Sequence, residues 1–121
     1  MTISKVGVVG AGQMGNGIAQ VAAQSGLSVT LFDIQQASLD KGLQTIASSC
    51  DRLIKKTTMT EAQKGEVMGR IRGTLKLDDL STCDIVIEAA TENLDLKLNI
   101  FRQLDEIVKK DAYIVSNTSS I

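Results

Sequence analysis

The short β-branched run Lys5-Val6-Gly7-Val8-Val9 passes directly into Gly10-Ala11-Gly12-Gln13-Met14-Gly15. From Gln13 the apolar spacing changes to Met14, Ile18, Val21 and Ala22, a helical face that stops near Gly26. Strand, tight turn and helix in immediate succession restrict the fold more than anything else in the chain. In that setting Gly10 makes the turn, Gly12 lets the backbone approach a pyrophosphate, and Gly15 lets helix and strand pack closely. The N–H groups and dipole of the helix end then face an anion, with Ala11, Gln13 and Met14 completing the loop around it. Glycines cluster in loops for many reasons, so the motif gains its meaning from this context.

The remaining chain continues the alternation. Ser28 to Asp33 reads as a second strand, and Leu39, Leu43, Ile46, Cys50 and Leu53 mark one long amphipathic helix. Thr60 with Gln63 is a capping-box signature for a helix carrying Val67 and Ile71 and ended by Gly73, followed by a weak strand around Thr74-Leu75-Lys76. Asp84 to Glu88 is the next strand, Leu98, Phe101, Leu104 and Val108 give the next helix, and Ala112 to Ser116 the last strand. Strands alternating with helices imply an α/β fold, a Rossmann-type doubly wound parallel sheet covered on both faces. Residues 1–121 make one domain on this pattern. Five strands stop one short of the six-strand order, so the chain is expected to be a piece of a longer one, ending before the final strand or strands.

Bulk charge gives no function: 13 basic against 14 acidic residues remove a nucleic-acid partner built on net charge. No apolar run approaches the ~18 residues of a membrane span, and no cleavable leader is evident, which reads as a cytoplasmic protein. Cys50 and Cys83 have neither a CxxC partner nor a histidine, so no metal site is expected. The sequence contains no histidine and no proline, so acid–base chemistry needs another donor and the elements end on glycines and caps.

The second strand ends at Asp33, 18 residues past Gly15, where a carboxylate would accept hydrogen bonds from the adenosine ribose hydroxyls. That selects NAD over NADP, because a 2′-phosphate would meet the Asp33 charge while Ile34, Gln35 and Gln36 offer no cation. Two alternatives stay open: Asp33 caps the next helix, or the cofactor is FAD, since Ala19 also fits the longer glycine pattern of flavoproteins. A second constellation comprises Glu88, Thr91, Glu92, Asn93 and Lys97, with Ser116-Asn117-Thr118-Ser119-Ser120. Both groups follow the carboxyl ends of strands, where open α/β sheets place ligands. Helix capping and turn chemistry account for them equally well.

Together the GAGQMGNGIAQ turn, the LFD strand end, the IEAATEN segment with Lys97 and the closing SNTSS resemble the NAD-binding domain of the L-3-hydroxyacyl-CoA dehydrogenases, bacterial 3-hydroxybutyryl-CoA enzymes among them. The resemblance runs the length of the chain. It implies that Gly10 to Gly15 and Asp33 hold the ADP half of NAD, with Glu92, Lys97, Asn117 and Ser119 around the nicotinamide half and the substrate. It further implies that Glu92 orients a catalytic histidine, that Ser119 hydrogen-bonds the substrate oxygen, and that Ser49 and Lys56 touch the CoA part of an acyl-CoA. For Lys56 a solvated surface charge is an equal alternative. The catalytic histidine of such enzymes belongs to a strand that would follow Ile121, and their C-terminal helical domain supplies dimerisation and substrate closure. The expectation is therefore a dehydrogenase parent, a homodimer oxidising (S)-3-hydroxyacyl-CoA, of which these residues are an inactive cofactor-binding part. The alternatives are a non-catalytic NAD-binding or sensing module and another β-hydroxyacid-type dehydrogenase.

Overall fold

The computed structural model describes residues 3–89 and 94–116. In chain order they form β1 (Lys5–Val9), α1 (Gln13–Gln24), β2 (Ser28–Phe32), α2 (Gln36–Lys55), α3 (Glu61–Arg70), β3 (Ile71–Thr74), a 3-10 turn at Leu77–Leu80, β4 (Ile85–Glu88), α4 (Leu94–Ile107) and β5 (Tyr113–Ser116). The strands pair in parallel in the order β3-β2-β1-β4-β5. The chain thus winds outward from β1 in one direction and then crosses back to wind in the other, the doubly wound arrangement expected from the alternation.

Both faces of the sheet are covered. Val6, Val8, Val29 and Leu31 pack with Ala19, Ala23, Leu39 and Ile46 on the side of α1 to α3. Val9, Phe32 and Val86 pack with Leu80 and Leu104 on the side of α4. Consecutive residues of β1 are buried for this reason, and the strand shows no polar alternation. Cys50 belongs to the first cluster and Cys83 to the second, so the sheet separates the two thiols. Burial raises both above the ordinary thiol range, Cys83 to about 11, which leaves them protonated and inert. No helix among the described residues is long and apolar enough to cross a membrane.

Several expectations change. In α1 the face turned to the sheet is Gly15, Asn16, Ala19 and Ala23, whereas Met14 is 54% and Val21 63% exposed. Of the expected face, Ile18 and Ala22 do pack, partly buried, against the same cluster, while small side chains and Asn16 take the most buried positions. Buried Asn16 is accommodated because its Nδ2 donates to the Gly12 carbonyl at 2.8 Å. In α4, Leu104 is buried with Ile100 and Val108 against the same cluster, but Leu98 is 52% exposed and the buried position beside it belongs to Lys97.

The third correction lies between α3 and β3. The capping box is present, with Gln63 N–H donating to Thr60 Oγ1 and Thr60 N–H to Gln63 Oε1. The helix then ends at Arg70 instead of Gly73, and Ile71 opens β3 opposite Val29 with no intervening loop. Ile71 follows Val67 by one helical turn, which disguises the change of element. Gly73 is a strand residue whose missing Cβ would stand 3.2 Å from the Leu39 side chain.

At the amino edge of the sheet Asp84 ties three elements together. Its Oδ2 accepts from the N–H groups of Ser4 (2.8 Å) and Lys5 (2.9 Å) and from Ser4 Oγ, and its Oδ1 accepts from the Lys109 ammonium beyond α4. These donors, Lys109 first, hold its pKa well below the usual carboxylate range. A depressed carboxylate stabilises the fold fully above its unfolded pKa of about 4, and that stability is lost as pH falls below it. Asp84→Asn should therefore lower the urea midpoint near neutral pH and flatten its decline between about pH 4 and about pH 2. Urea titrations across that range test it.

Candidate functional site

The turn between β1 and α1 is held on three sides. Gly10 adopts φ 105°, open to glycine at little cost, and its N–H donates to the Phe32 carbonyl at 2.7 Å. A Cβ on Gly15 would stand 1.6 Å from the Gly10 carbonyl oxygen, so the close approach expected of this glycine is to the turn itself. A Cβ on Gly42, in the middle of α2, would stand 2.5 Å from the Ala11 carbonyl oxygen. Sequence reasoning missed Gly42, although an interior helix glycine costs about 1 kcal/mol relative to alanine and usually has a packing reason. Gly12 differs from both: its φ of −66° suits any residue, and a Cβ there would meet nothing within 4 Å. The protein itself does not require glycine at that position. As N-cap of α1, Gly12 provides no side-chain cap, and the first turn of the helix carries no acidic residue.

Asp33 couples this turn to the next helix. Its Oδ2 accepts from Ala11 N–H and its Oδ1 from Gln35 N–H, each at 3.0 Å. The N-cap of α2 is Gln35, so Asp33 is not the capping residue of that helix. Each carboxylate oxygen keeps acceptor capacity beyond its backbone bond. Beside it opens a cleft of about 670 Å³, bounded by Val9, Gly10, Gly12 and Asp33 and, on its apolar side, by Ile34, Leu75 and Leu77. The far wall is α4, with Asn99 and Gln103 one turn apart. The cleft lies at the carboxyl ends of β1 and β2 next to β4, the point where the winding reverses. Leu75 and Leu77 escaped sequence reasoning because β3 was displaced by three residues. Gln13 and Met14 are exposed on the first turn of α1. Ala19 is fully buried against the sheet, a packing role that serves either dinucleotide.

The second constellation is partly within the described residues. Glu88 ends β4 with no exposed surface; Lys97 Nζ lies 3.7 Å from its Oε1, and Ser116 Oγ donates to the same oxygen at 3.3 Å. Glu92, Asn117 and Ser119, with Thr91, Asn93, Thr118 and Ser120, lie outside the described residues. Ser49 is half-buried on α2 and Lys56 is the exposed C-cap of the same helix, neither lining the cleft. From Ser38, at the cleft, to Lys56 is about 27 Å along the helix at ~1.5 Å per residue.

The sequence profile described as "3-hydroxyacyl-CoA dehydrogenase, NAD binding domain" matches residues 5–121. The chain belongs to that family. A probable 3-hydroxybutyryl-CoA dehydrogenase of Deinococcus radiodurans is 50% identical over 117 residues, which are 97% of this chain and 42% of that protein. The 3-hydroxybutyryl-CoA dehydrogenase of Bradyrhizobium diazoefficiens is 47% identical over 119 residues, 98% of this chain and 41% of the relative. The crystal structure of (S)-3-hydroxybutyryl-CoA dehydrogenase PaaH1 from Ralstonia eutropha superposes with a TM-score of 0.96 at 57% identity, over 99% of this chain and 42% of that one. The chain therefore spans about two fifths of the length of these dehydrogenases. The cofactor of the family domain is NAD, which closes the flavin alternative.

Gly42 gives a test of the turn. Gly42→Ala gains up to about 1 kcal/mol of helix propensity but drives a methyl group into the Ala11 carbonyl, with overpacking costs of about 1–3 kcal/mol. The variant should melt below the wild type and bind NADH more weakly, as thermal melting and fluorescence titration would report.

Proposed function

We propose that this chain holds NAD in the cleft at the carboxyl edge of the sheet, and that the protein containing it oxidises the 3-hydroxyl of a 3-hydroxyacyl-CoA. The observation that carries the first part is Asp33, oriented by Ala11 N–H and Gln35 N–H between the glycine turn and α2. A carboxylate so fixed has lone pairs left for two vicinal ribose hydroxyls. It also repels a 2′-phosphate, and Ile34, Gln35 and Gln36 provide no compensating cation. Gly12 supports the same reading, since its backbone borders open space at the N-terminus of α1, where N–H groups and the helix dipole favour a pyrophosphate. Ile34 and Leu75 offer apolar surface on the side where an adenine would lie.

A bound NAD would supply the acceptor for a hydride from the carbinol carbon of the substrate. The chain's own part is to bind and orient. Gly10 to Gly15 and Asp33 take the ADP half; Glu92, Lys97, Asn117 and Ser119 are assigned to the nicotinamide half, with Ser119 also towards the substrate oxygen. Ser49 and Lys56 are assigned to the CoA portion. Their place on the distal half of α2 suits a long thioester substrate whose nucleotide handle lies far from the dinucleotide cleft, and a lysine suits a phosphate. A homodimer of the whole protein is part of the same proposal. The hydroxyl proton needs a base near neutral pH, and these 121 residues contain no histidine. The base is thus assigned to the rest of the protein.

NADH should bind at least about tenfold more tightly than NADPH. Asp33→Ala should weaken NADH by about 1.5–3 kcal/mol, whereas Gly12→Val should abolish binding while costing the fold no more than about 1 kcal/mol. Titration calorimetry and melting curves report these, and equal affinity for the two cofactors would overturn the assignment of Asp33. With acetoacetyl-CoA and NADH, the 121 residues should turn over at least ~10²-fold more slowly than a full-length relative, the usual loss on removing a general base. A rate near that of the relative would place the proton-transfer group within this chain.

A further inference from the structure

The cofactor reading uses Lys97 but does not account for the carboxylate buried beside it. Glu88 stands in register with Val9 of β1 and Ser116 of β5, at the carboxyl ends of all three strands. Its side chain has no exposed surface, and a carboxylate removed from water needs charge and hydrogen bonds in place of its hydration. Ser116 Oγ provides a hydrogen bond at 3.3 Å and Lys97 a charge at 3.7 Å. Lys97 is on the first turn of α4 and is itself buried. The residue after Glu88 is Ala89, which lines the dinucleotide cleft and donates its N–H to the Val9 carbonyl at 2.8 Å. The ion pair is therefore one residue away from the cleft wall. The other strongly bonded carboxylate of β4's segment, Asp84, serves the opposite edge of the sheet.

We propose that Glu88 is a positioning residue of this site: it fixes the Lys97 ammonium at the carboxyl edge of the sheet, so that Lys97 meets the oxygen atoms of a bound dinucleotide with its charge and direction already set. The proposal rests on the NAD-binding reading of the cleft. A lysine has a long flexible stem, and one already held by a buried carboxylate loses less freedom when the ligand arrives. Packing of α4 on the sheet would be served as well by two apolar side chains, since a buried ion pair is often replaceable by hydrophobes without loss. Cofactor affinity thus separates a positioning role from a structural one.

NADH fluorescence titration and thermal melting of the wild type, Glu88→Gln, Lys97→Met and the double variant test it. Lys97→Met should raise the dissociation constant for NADH about tenfold or more, the loss of a hydrogen bond to a charged group. Glu88→Gln keeps the shape and an acceptor for Ser116 but removes the charge, and should raise it at least about fivefold on the same scale. Because Glu88 acts through Lys97, the double variant should bind NADH no more weakly than Lys97→Met, whatever its melting temperature. Wild-type affinity in Glu88→Gln, or a further loss in the double variant, overturns the positioning role and leaves the cofactor reading standing. Unchanged affinity in Lys97→Met removes Lys97 from the cofactor site and the proposal with it, and failure of the wild type to bind NADH overturns the cofactor reading itself. Should Glu88→Gln not fold, Glu88→Asp replaces it: the charge stays but withdraws by one methylene, so weaker NADH binding is expected and unchanged affinity overturns the proposal.

Discussion

One carbon atom at position 15 would stand 1.6 Å from the Gly10 carbonyl oxygen, and the arrangement of the nucleotide half of the molecule follows from that lack of room. Where α1 lies on the turn and the sheet, its buried positions are Gly15, Asn16, Ala19 and Ala23, with Ile18 and Ala22 packed beside them. Gly12, the N-cap of α1, thereby borders the cleft at the end of the helix whose dipole favours an anion. Gly42 repeats the constraint from the side of α2, against Ala11. The Ala11 N–H in turn holds Asp33, so the turn positions the carboxylate that would read the ribose.

The carboxylates at the strand ends divide their work by edge. Asp84 precedes β4 and gathers Ser4, Lys5 and Lys109, which fixes the start of β1 to the chain beyond α4. Four residues later Glu88 ends the same strand, inside the protein and next to the cleft. A charge buried there is compensated locally by Lys97 and Ser116, while the charge of Asp84 is shared with backbone donors. One edge of the sheet is thereby tied together and the other is left to face a ligand.

What the sequence disclosed was whatever depends on near neighbours along the chain. The glycine turn, the capping box of Thr60 and Gln63, and the long face of Leu39, Ile46 and Cys50 on α2 are all local patterns, and all are present. Errors arose where a distant contact decided. Met14 and Val21 fit a helical face with Ile18 and Ala22, but they fall on its exposed margin, beside the apolar strand residues Ile85 and Ile87. Ile71 fits the helix before it, but pairing with Val29 makes it a strand residue. Gly42 carries no meaning until α2 is seen against Ala11. Leu98 gives way to Lys97 because a buried carboxylate on β4 offers a cation more than hydrophobic contact would. Glu92, Asn117 and Ser119 had no periodicity or spacing to define them, and their assignment rests on resemblance to the family.

Helix α2 has the proportions of a lever arm. It is 20 residues long and touches the turn at Gly42, while α3 is bound to its distal half by the Lys64–Asp51 ion pair at 2.7 Å. From Gly42 to Lys56 is about 21 Å of helix at ~1.5 Å per residue. A tilt of about 5° at the turn would therefore swing the far end by roughly 2 Å, more than half a hydrogen-bond length. The turn at the cleft and Lys56 are thus joined by one continuous helix, whose contact with the turn is a glycine.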